Sequence, residues 1–449
     1  MYSNSFLCPL LIILVTVYPL ATAGEGRSLQ NLRGQPTTNG ESRTTPSSSD
    51  KASSLALLPT HANLTVPLHA HSGSHHVHVY IGSPPQRQTL IVDTGSRLMA
   101  FPCKSCKSCG VHTSPYFDPK LSTTQRSPKC GNCKLEGISS CSLFSDACSI
   151  GQRYTEGSSW KALELEDFVW LGTNDVTESV EDHMQLAVPY VFGCQTDLKG
   201  LFRKQYADGI LGLARHETSI VAKYKEHGAI ARNCFSLCLT QDGGLLSLGG
   251  PNTAFHLEKD MAFTPITREH GWYSIELVRV QVGLSTLASK TTNPEALQSL
   301  NRGKGFILDS GTTDTYLPAS LAVLVKKALD DEASMGTFDL TGKQRTRLFT
   351  YDEFRALPEL RFDFANNATI SFVPDNYMEG VPIDAGSGRA QKWNGRITLT
   401  NRVYFEEKEG AVLGSNAFYG YDLLFDHDGH QVGIAKALCS GSAAGIQMS

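Results

Sequence analysis

Ile91-Val92-Asp93-Thr94-Gly95-Ser96 reads as a strand that ends in a carboxylate on a tight turn. Far downstream the chain repeats the phrase as Ile307-Leu308-Asp309-Ser310-Gly311-Thr312. Each copy is an apolar run closed by Asp, a small hydroxyl residue, Gly and a second hydroxyl residue. A single Asp-Ser/Thr-Gly tripeptide carries little information. Two copies in matched apolar frames, set far apart in the chain, point to two half-molecules that each bring one carboxylate to a shared site. Gly95 would let another backbone approach closely, and Thr94 offers a hydroxyl able to pin the opposite loop.

Other phrases repeat as well. Asp208-Gly209-Ile210-Leu211-Gly212-Leu213 is echoed by Val412-Leu413-Gly414-Ser415, each about a hundred residues behind its Asp motif, which is repetition on the scale of a lobe. The 449 residues leave room for two or three domains. Forty Gly, 20 Pro and many short β-branched runs favour a turn-rich β protein. With a net charge of −4 and a pI near 6.4, nothing suggests nucleic acid or an anionic membrane as partner.

The chain opens on Leu10-Leu11-Ile12-Ile13-Leu14-Val15, followed by Ala21-Thr22-Ala23-Gly24. A short apolar run before a small-x-small site predicts a signal peptide over 1–23. Residues 24–61, rich in Ser, Thr, Gly and Pro, read as a disordered linker or prosegment. Two lobes are expected over 62–255 and 256–440, the first with a cysteine-rich insert, and a polar tail over 441–449. No later stretch reaches the length of a membrane span, so a secreted or endoplasmic reticulum protein of the secretory pathway is expected, acting as a monomer.

Five histidines, His69, His71, His75, His76 and His78, crowd the start of the first lobe. Alternation with Val77, Val79 and Ile81 places His76 and His78 on an exposed strand face, where a pH-sensitive contact with the prosegment is one reading and metal binding another. Cys103, Cys106, Cys109, Cys130, Cys133, Cys141 and Cys148 follow at spacings that suit zinc. Behind a signal peptide, disulfides are the better reading. With Cys194, Cys234, Cys238 and Cys439 the mature chain holds an odd number, so at least one stays unpaired or pairs between molecules. Tyr154-Thr155-Glu156-Gly157-Ser158-Ser159-Trp160 has the polar, Gly-containing look of a hairpin turn. Helical patterns are few: Thr218 to Ala229, and Ala319 to Ala333 behind Pro318. Ser285 to Gly305 reads as a polar insertion and Ala385 to Gly395 as a loop. Asn63 and Asn367 stand in glycosylation sequons. There is no HExxH helix and no Gly-x-Ser-x-Gly elbow.

Taken in order, these motifs resemble the pepsin-like aspartic proteases over about residues 62–440. Gly271-Trp272-Tyr273, Leu424-Phe425-Asp426 and Val432-Gly433-Ile434-Ala435 are similar to that family too. The cysteine-rich stretch from Phe101-Pro102-Cys103, the turn at Tyr154 and Glu156, Phe235-Ser236-Leu237-Cys238 and Cys439 look most like plasmepsin V and its relatives. The resemblance implies an all-β, bilobal fold, two β-barrel-like lobes with a cleft between them. It also implies peptide hydrolysis by an Asp93/Asp309 pair that activates water, with no metal and no cofactor.

Ser96 and Thr312 would then bind the outer carboxylate oxygens, and Thr94 and Ser310 would brace the loops around Gly95 and Gly311. Tyr154, Glu156, Gly157 and Ser158 would form a flap that closes over a polypeptide substrate. That subfamily cleaves proteins in transit through the secretory pathway at motifs containing Arg and Leu, and its flap glutamate, matched by Glu156, helps hold the Arg. Thr155 stands where plasmepsin V has a flap cysteine, and the sequence up to Ser449 shows no counterpart of that group's C-terminal membrane helix. A broad digestive protease and an inactive pepsin-shaped binding protein are the alternatives. Arg97 and Asp314, just behind the two motifs, have no explanation at this level.

Overall fold

A computed structural model describes residues 63–142, 146–154, 156–172, 186–268, 271–333, 350–382 and 397–439. The stretches expected to be a signal peptide (1–23, with Cys8) and a linker (24–61), Thr155, the expected loop at Ala385–Gly395 and the tail over 441–449 lie outside the described residues.

The protein is built mostly of strands, as a bilobal pepsin-like fold, and its two Asp-hydroxyl-Gly loops hang from the same device used twice. Gln86–Asp93 is buried from Gln88 to Asp93, because a strand covered on both faces is written as a continuous apolar run. It runs parallel to Gly209–Gly212, with Asp93 opposite Gly212. That strand lies antiparallel to Met99–Pro102, which runs parallel to Val188–Lys199. In the second half, Phe306–Leu308 runs parallel to Ala411–Leu413. Ala411–Leu413 in turn meets Thr315–Pro318 antiparallel, and Thr315–Pro318 runs parallel to Val403–Glu407. The sequence echo is therefore a structural one. The glycines are required by the crossing: a Cβ on Gly209 would run into the Ala100 carbonyl, and one on Gly212 or Gly414 into the loop backbone passing over it.

The halves share a sheet. Ala262–Pro265, Gln431–Lys436 and Tyr421–Asp426 from late in the chain continue through Cys234–Thr240 and Gly243–Leu248 to Leu64–His71. The Cys238–Cys439 disulfide closes one end of this platform. A single large apolar cluster runs from Val66 to Ile434 through both halves, so the lobes are packed on one another and the active loops meet on a rigid base.

Two expectations need correction. His76 is 3% exposed and His75 wholly buried; only His78 is half-open. Ser74–Ile81 is an inner strand, flanked by Leu64–His71 and Gln86–Asp93, and the rings of His69 and Tyr206 cover His76 at 5.6 and 5.4 Å. The Ser285–Gly305 stretch is not a plain insertion either. It forms the strand Ser285–Ser289 and the helix Pro294–Asn301, which buries Leu297 and Leu300. The other helical patterns appear as Ile220–Glu226, capped by Ser219, and Ala322–Ala333.

Candidate active site

Both Asp-hydroxyl-Gly turns emerge from buried strands and meet face to face. Asp93 is fully buried and Asp309 1% exposed. Each carboxylate is held by its own turn. Gly95 N–H and the Ser96 hydroxyl donate to Asp93, the former at 2.8 Å to Oδ1. Gly311 N–H donates to Asp309 Oδ1 at 3.0 Å, and the Thr312 hydroxyl to Oδ2 at 2.9 Å. The carboxylates are within hydrogen-bonding reach of each other. A Cβ on Gly95 would stand 2.7 Å from the Asp309 carboxylate, and one on Gly311 would overlap that of Asp93. Only glycine permits this approach.

Burial raises the pKa of Asp93. Burial, followed by the neighbouring Asp93 charge, pushes Asp309 well above the usual carboxylate range. Two carboxylates this close cannot both ionise cheaply, so the pair holds one proton between them. Such a pair can accept a proton from water with one member and donate one with the other. Trp272 Nε1–H donates to the Gly95 carbonyl at 3.0 Å and buttresses the first loop.

Above this pair lies the hairpin of Ala147–Arg153 and Ser159–Leu171. Its turn closes by Tyr154 N–H to Ser158 O at 2.9 Å and Gly157 N–H to Tyr154 O at 3.1 Å, and Gly157 supplies the positive φ of 97° it needs. Ser158 Oγ accepts Leu201 N–H at 2.9 Å and ties the turn to the neighbouring segment. The Tyr154 ring packs on Phe202 at 4.8 Å. Trp160 Nε1–H donates to the Tyr154 hydroxyl at 3.2 Å, which also lies within reach of Ser96. The tyrosine thus points onto the Asp93 turn. Glu156 is half-buried, and both carboxylate oxygens are shut from solvent, with only the Ser158 hydroxyl and the amides of its own turn near them among the described residues. Burial raises its pKa.

The chain is similar to the pepsin-like aspartic proteases. The family model described as Xylanase inhibitor N-terminal matches residues 75–250. Aspartic protease 5 of Toxoplasma gondii is 33% identical over 385 residues, covering 80% of this chain and 36% of that protein. Aspartic proteinase 36 of Arabidopsis thaliana is 27% identical over 393 residues, covering 79% and 76%. Plasmepsin V of Plasmodium falciparum (isolate 3D7) is 29% identical over 174 residues, covering 38% and 28%. The chain thus spans about a third of the length of the Toxoplasma relative.

The cysteines sit beside the site and not within it. The pairs are Cys103–Cys194, Cys106–Cys109, Cys130–Cys141, Cys133–Cys148 and Cys238–Cys439. Cys234 keeps a buried free thiol. Metal-ligating atoms converge, among the described residues, at Cys133, Cys148 and Glu164. Those sulfurs are bonded to each other, and the Glu164 carboxylate accepts from Lys134 N–H and the Ser139 hydroxyl, so no donor is spare. Asn63 and Asn367 are both exposed.

Sequence reading assigned no role to Trp160 or Trp272, whose partners come from other segments, nor to Arg402. Asp314 is buried against Arg402, and Arg97 is half-buried with its carbonyl accepting from the Thr218 hydroxyl at 3.1 Å. Arg97 Nε is buried without a partner among the described residues. Among those residues no helix is long and apolar enough to cross a membrane.

Proposed function

We propose that the protein is an aspartic-type endopeptidase in which Asp93 and Asp309 share one proton and activate a water against a peptide carbonyl. The observation that carries this is the pair itself: two buried carboxylates in contact, each fixed by a glycine amide and a hydroxyl of its own turn. The ionised member takes the proton of the attacking water, and the protonated member donates to the carbonyl oxygen and then to the departing amine. Tyr154 closes the site from above and keeps bulk water away.

Protein processing in the secretory pathway is the reading favoured for its substrates, ahead of broad digestion. Glu156 supports it: a half-buried carboxylate on the flap, shut from solvent and near only the polar groups of its own turn among the described residues, is suited to a substrate guanidinium. The name of the Toxoplasma relative, an aspartic protease, fits the catalytic reading.

Purified protein would be offered a peptide library from about pH 4 to 7, a range chosen to span carboxylate and histidine titration, beside Asp93→Ala and Asp309→Asn. The expected result is cleavage by the wild type alone, enriched at sites containing Arg. Cleavage between bulky apolar residues with no Arg preference would favour digestion. Cleavage unaffected by either substitution would overturn the assignment.

A further inference from the structure

Asp314 lies five positions after Asp309 and is 1% exposed. The equivalent position behind Asp93 is Leu98, which packs into an apolar cluster. The first catalytic loop is therefore held by packing where the second is held by an ion pair. Arg402, 8% exposed, donates Nε–H to Asp314 Oδ1 at 2.9 Å and reaches the Thr313 carbonyl with Nη2 at 3.5 Å. Its own carbonyl accepts Thr315 N–H at 3.0 Å and Asn416 Nδ2–H at 3.0 Å. Arg402 thus grips residues 313, 314 and 315 together.

The anchor continues into the first half of the molecule. Arg402 lies 5.6 Å from the Tyr419 ring centre, and that ring meets the edge of His75 at 5.9 Å. His75 is fixed by a hydrogen bond of Nε2 to the Thr240 carbonyl at 2.7 Å. The turn between the first two strands also comes close to the loop, since Ser415 Oγ lies 3.1 Å from the Thr313 carbonyl and 3.3 Å from the Gly73 carbonyl.

A buried ion pair is poor value for stability, since apolar residues of similar volume usually serve as well, and Leu98 is the proof in this chain. What an ion pair adds is a fixed register. We propose that Asp314 and Arg402 are positioning residues that set the height of the Asp309 loop so that its carboxylate meets that of Asp93. The inference rests on the reading of Asp93 and Asp309 as the catalytic pair.

Three further groups face this pair: Glu379 on Met378–Pro382, Tyr316 on Thr315–Pro318, and His75 beyond Tyr419. Burial lowers His75 to about 4, so it brings no second cation to Arg402 at mildly acid pH. Burial raises Asp314 to about 6 against the pull of Arg402, so the pair is ionic above that pH and loses one charge below it.

The test compares wild type with Asp314→Asn and with Asp314→Leu/Arg402→Met, which gives the second loop the apolar packing of the first. Active sites are counted with a tight-binding statine peptide, and Asp309→Asn is run in parallel. Asp314→Asn is expected to lower kcat per titrated site by about 10²-fold with little change in KM, and to lose an inflection near pH 6 in the kcat profile. The double variant is expected to melt at or above wild type and to keep the kcat defect. Full recovery of kcat in the double variant overturns the proposal, as does a wild-type kcat and pH profile in Asp314→Asn. If the wild type shows no Asp309-dependent cleavage, the catalytic assignment has failed. Calorimetric binding of the statine peptide then decides the positioning claim alone: at least about tenfold weaker binding by Asp314→Asn supports it, and equal binding overturns it.

Discussion

Thr94 and Ser310 each hold the other's loop by both ends. Thr94 Oγ1–H donates to the Leu308 carbonyl at 2.9 Å and accepts Ser310 N–H at 2.9 Å. Ser310 Oγ–H donates to the Val92 carbonyl at 2.8 Å and accepts Thr94 N–H at 3.1 Å. Four buried backbone groups that no strand can satisfy are thereby paired across the junction of the two halves.

Removing one hydroxyl orphans a buried N–H and a buried C=O at once. Thr94→Val preserves shape and is expected to cost about 2–6 kcal/mol, since each unsatisfied group costs roughly 1–3 kcal/mol. The loops should also loosen, so kcat should fall more than KM rises. Urea melts beside steady-state kinetics check both; an unchanged midpoint would mean that water replaces the hydroxyl.

Glu156 gives a prediction about specificity. If its carboxylate waits for a guanidinium, Glu156→Gln should lower kcat/KM for an Arg-containing peptide by roughly 10- to 100-fold, the value of a charge-assisted hydrogen bond. A norleucine analogue should be cut equally by both enzymes. Burial raises the pKa of Glu156 above its ordinary 4.5, so the preference for Arg over norleucine should strengthen as pH rises through that region. A preference independent of pH and of residue 156 would place the Arg pocket elsewhere.

The parts of this site that show in the sequence are those written locally. A strand buried on both faces must be an unbroken apolar run, and a chain crossing beneath a loop must be glycine; hence the Asp frames and the Gly212 and Gly414 echoes are legible. Asp314 and Arg402 are 88 residues apart, and neither carries a local sign of the other. Alternation in Ser74–Ile81 separates two faces correctly but cannot reveal that His69 and Tyr206 roof one of them. In Pro294–Asn301, polar composition hides the spacing of Leu297 and Leu300, which alone marks the buried side.

Acid stability should carry two opposed contributions. His75 is lowered from 6.5 to about 4 by burial. The unfolded chain therefore binds this proton first as pH falls; the His75 contribution is complete above pH 6.5 and shrinks towards pH 4, by up to about 3 kcal/mol. Asp314 is raised from 3.8 to about 6, so its contribution is complete below pH 3.8 and is lost as pH rises through 6. His75→Gln should flatten the loss of stability between pH 6.5 and 4, and Asp314→Asn should steepen it. Urea midpoints across that range, identical in slope for all three proteins, would remove both groups from the account.

The Cys133–Cys148 disulfide ties the cysteine-rich segment to Ala147–Arg153, the strand that leads directly into Tyr154. Glu164, on the returning strand Ser159–Leu171, is gripped from the same segment by Lys134 and Ser139. Both arms of the flap hairpin are thus fastened to one insert, and its rigidity is borrowed from there. Opening a cross-link over 15 residues should cost about 3 kcal/mol through the unfolded chain. Were that all, Cys133→Ser/Cys148→Ser would lower the melting temperature and leave catalysis alone. A loosened flap arm predicts more: KM should rise several-fold well below the melting temperature, with kcat less affected, because Tyr154 must be ordered on each encounter. Hydrogen exchange at residues 147–171 should quicken in step. Lower stability with unchanged KM and unchanged exchange would confine the disulfide to the fold.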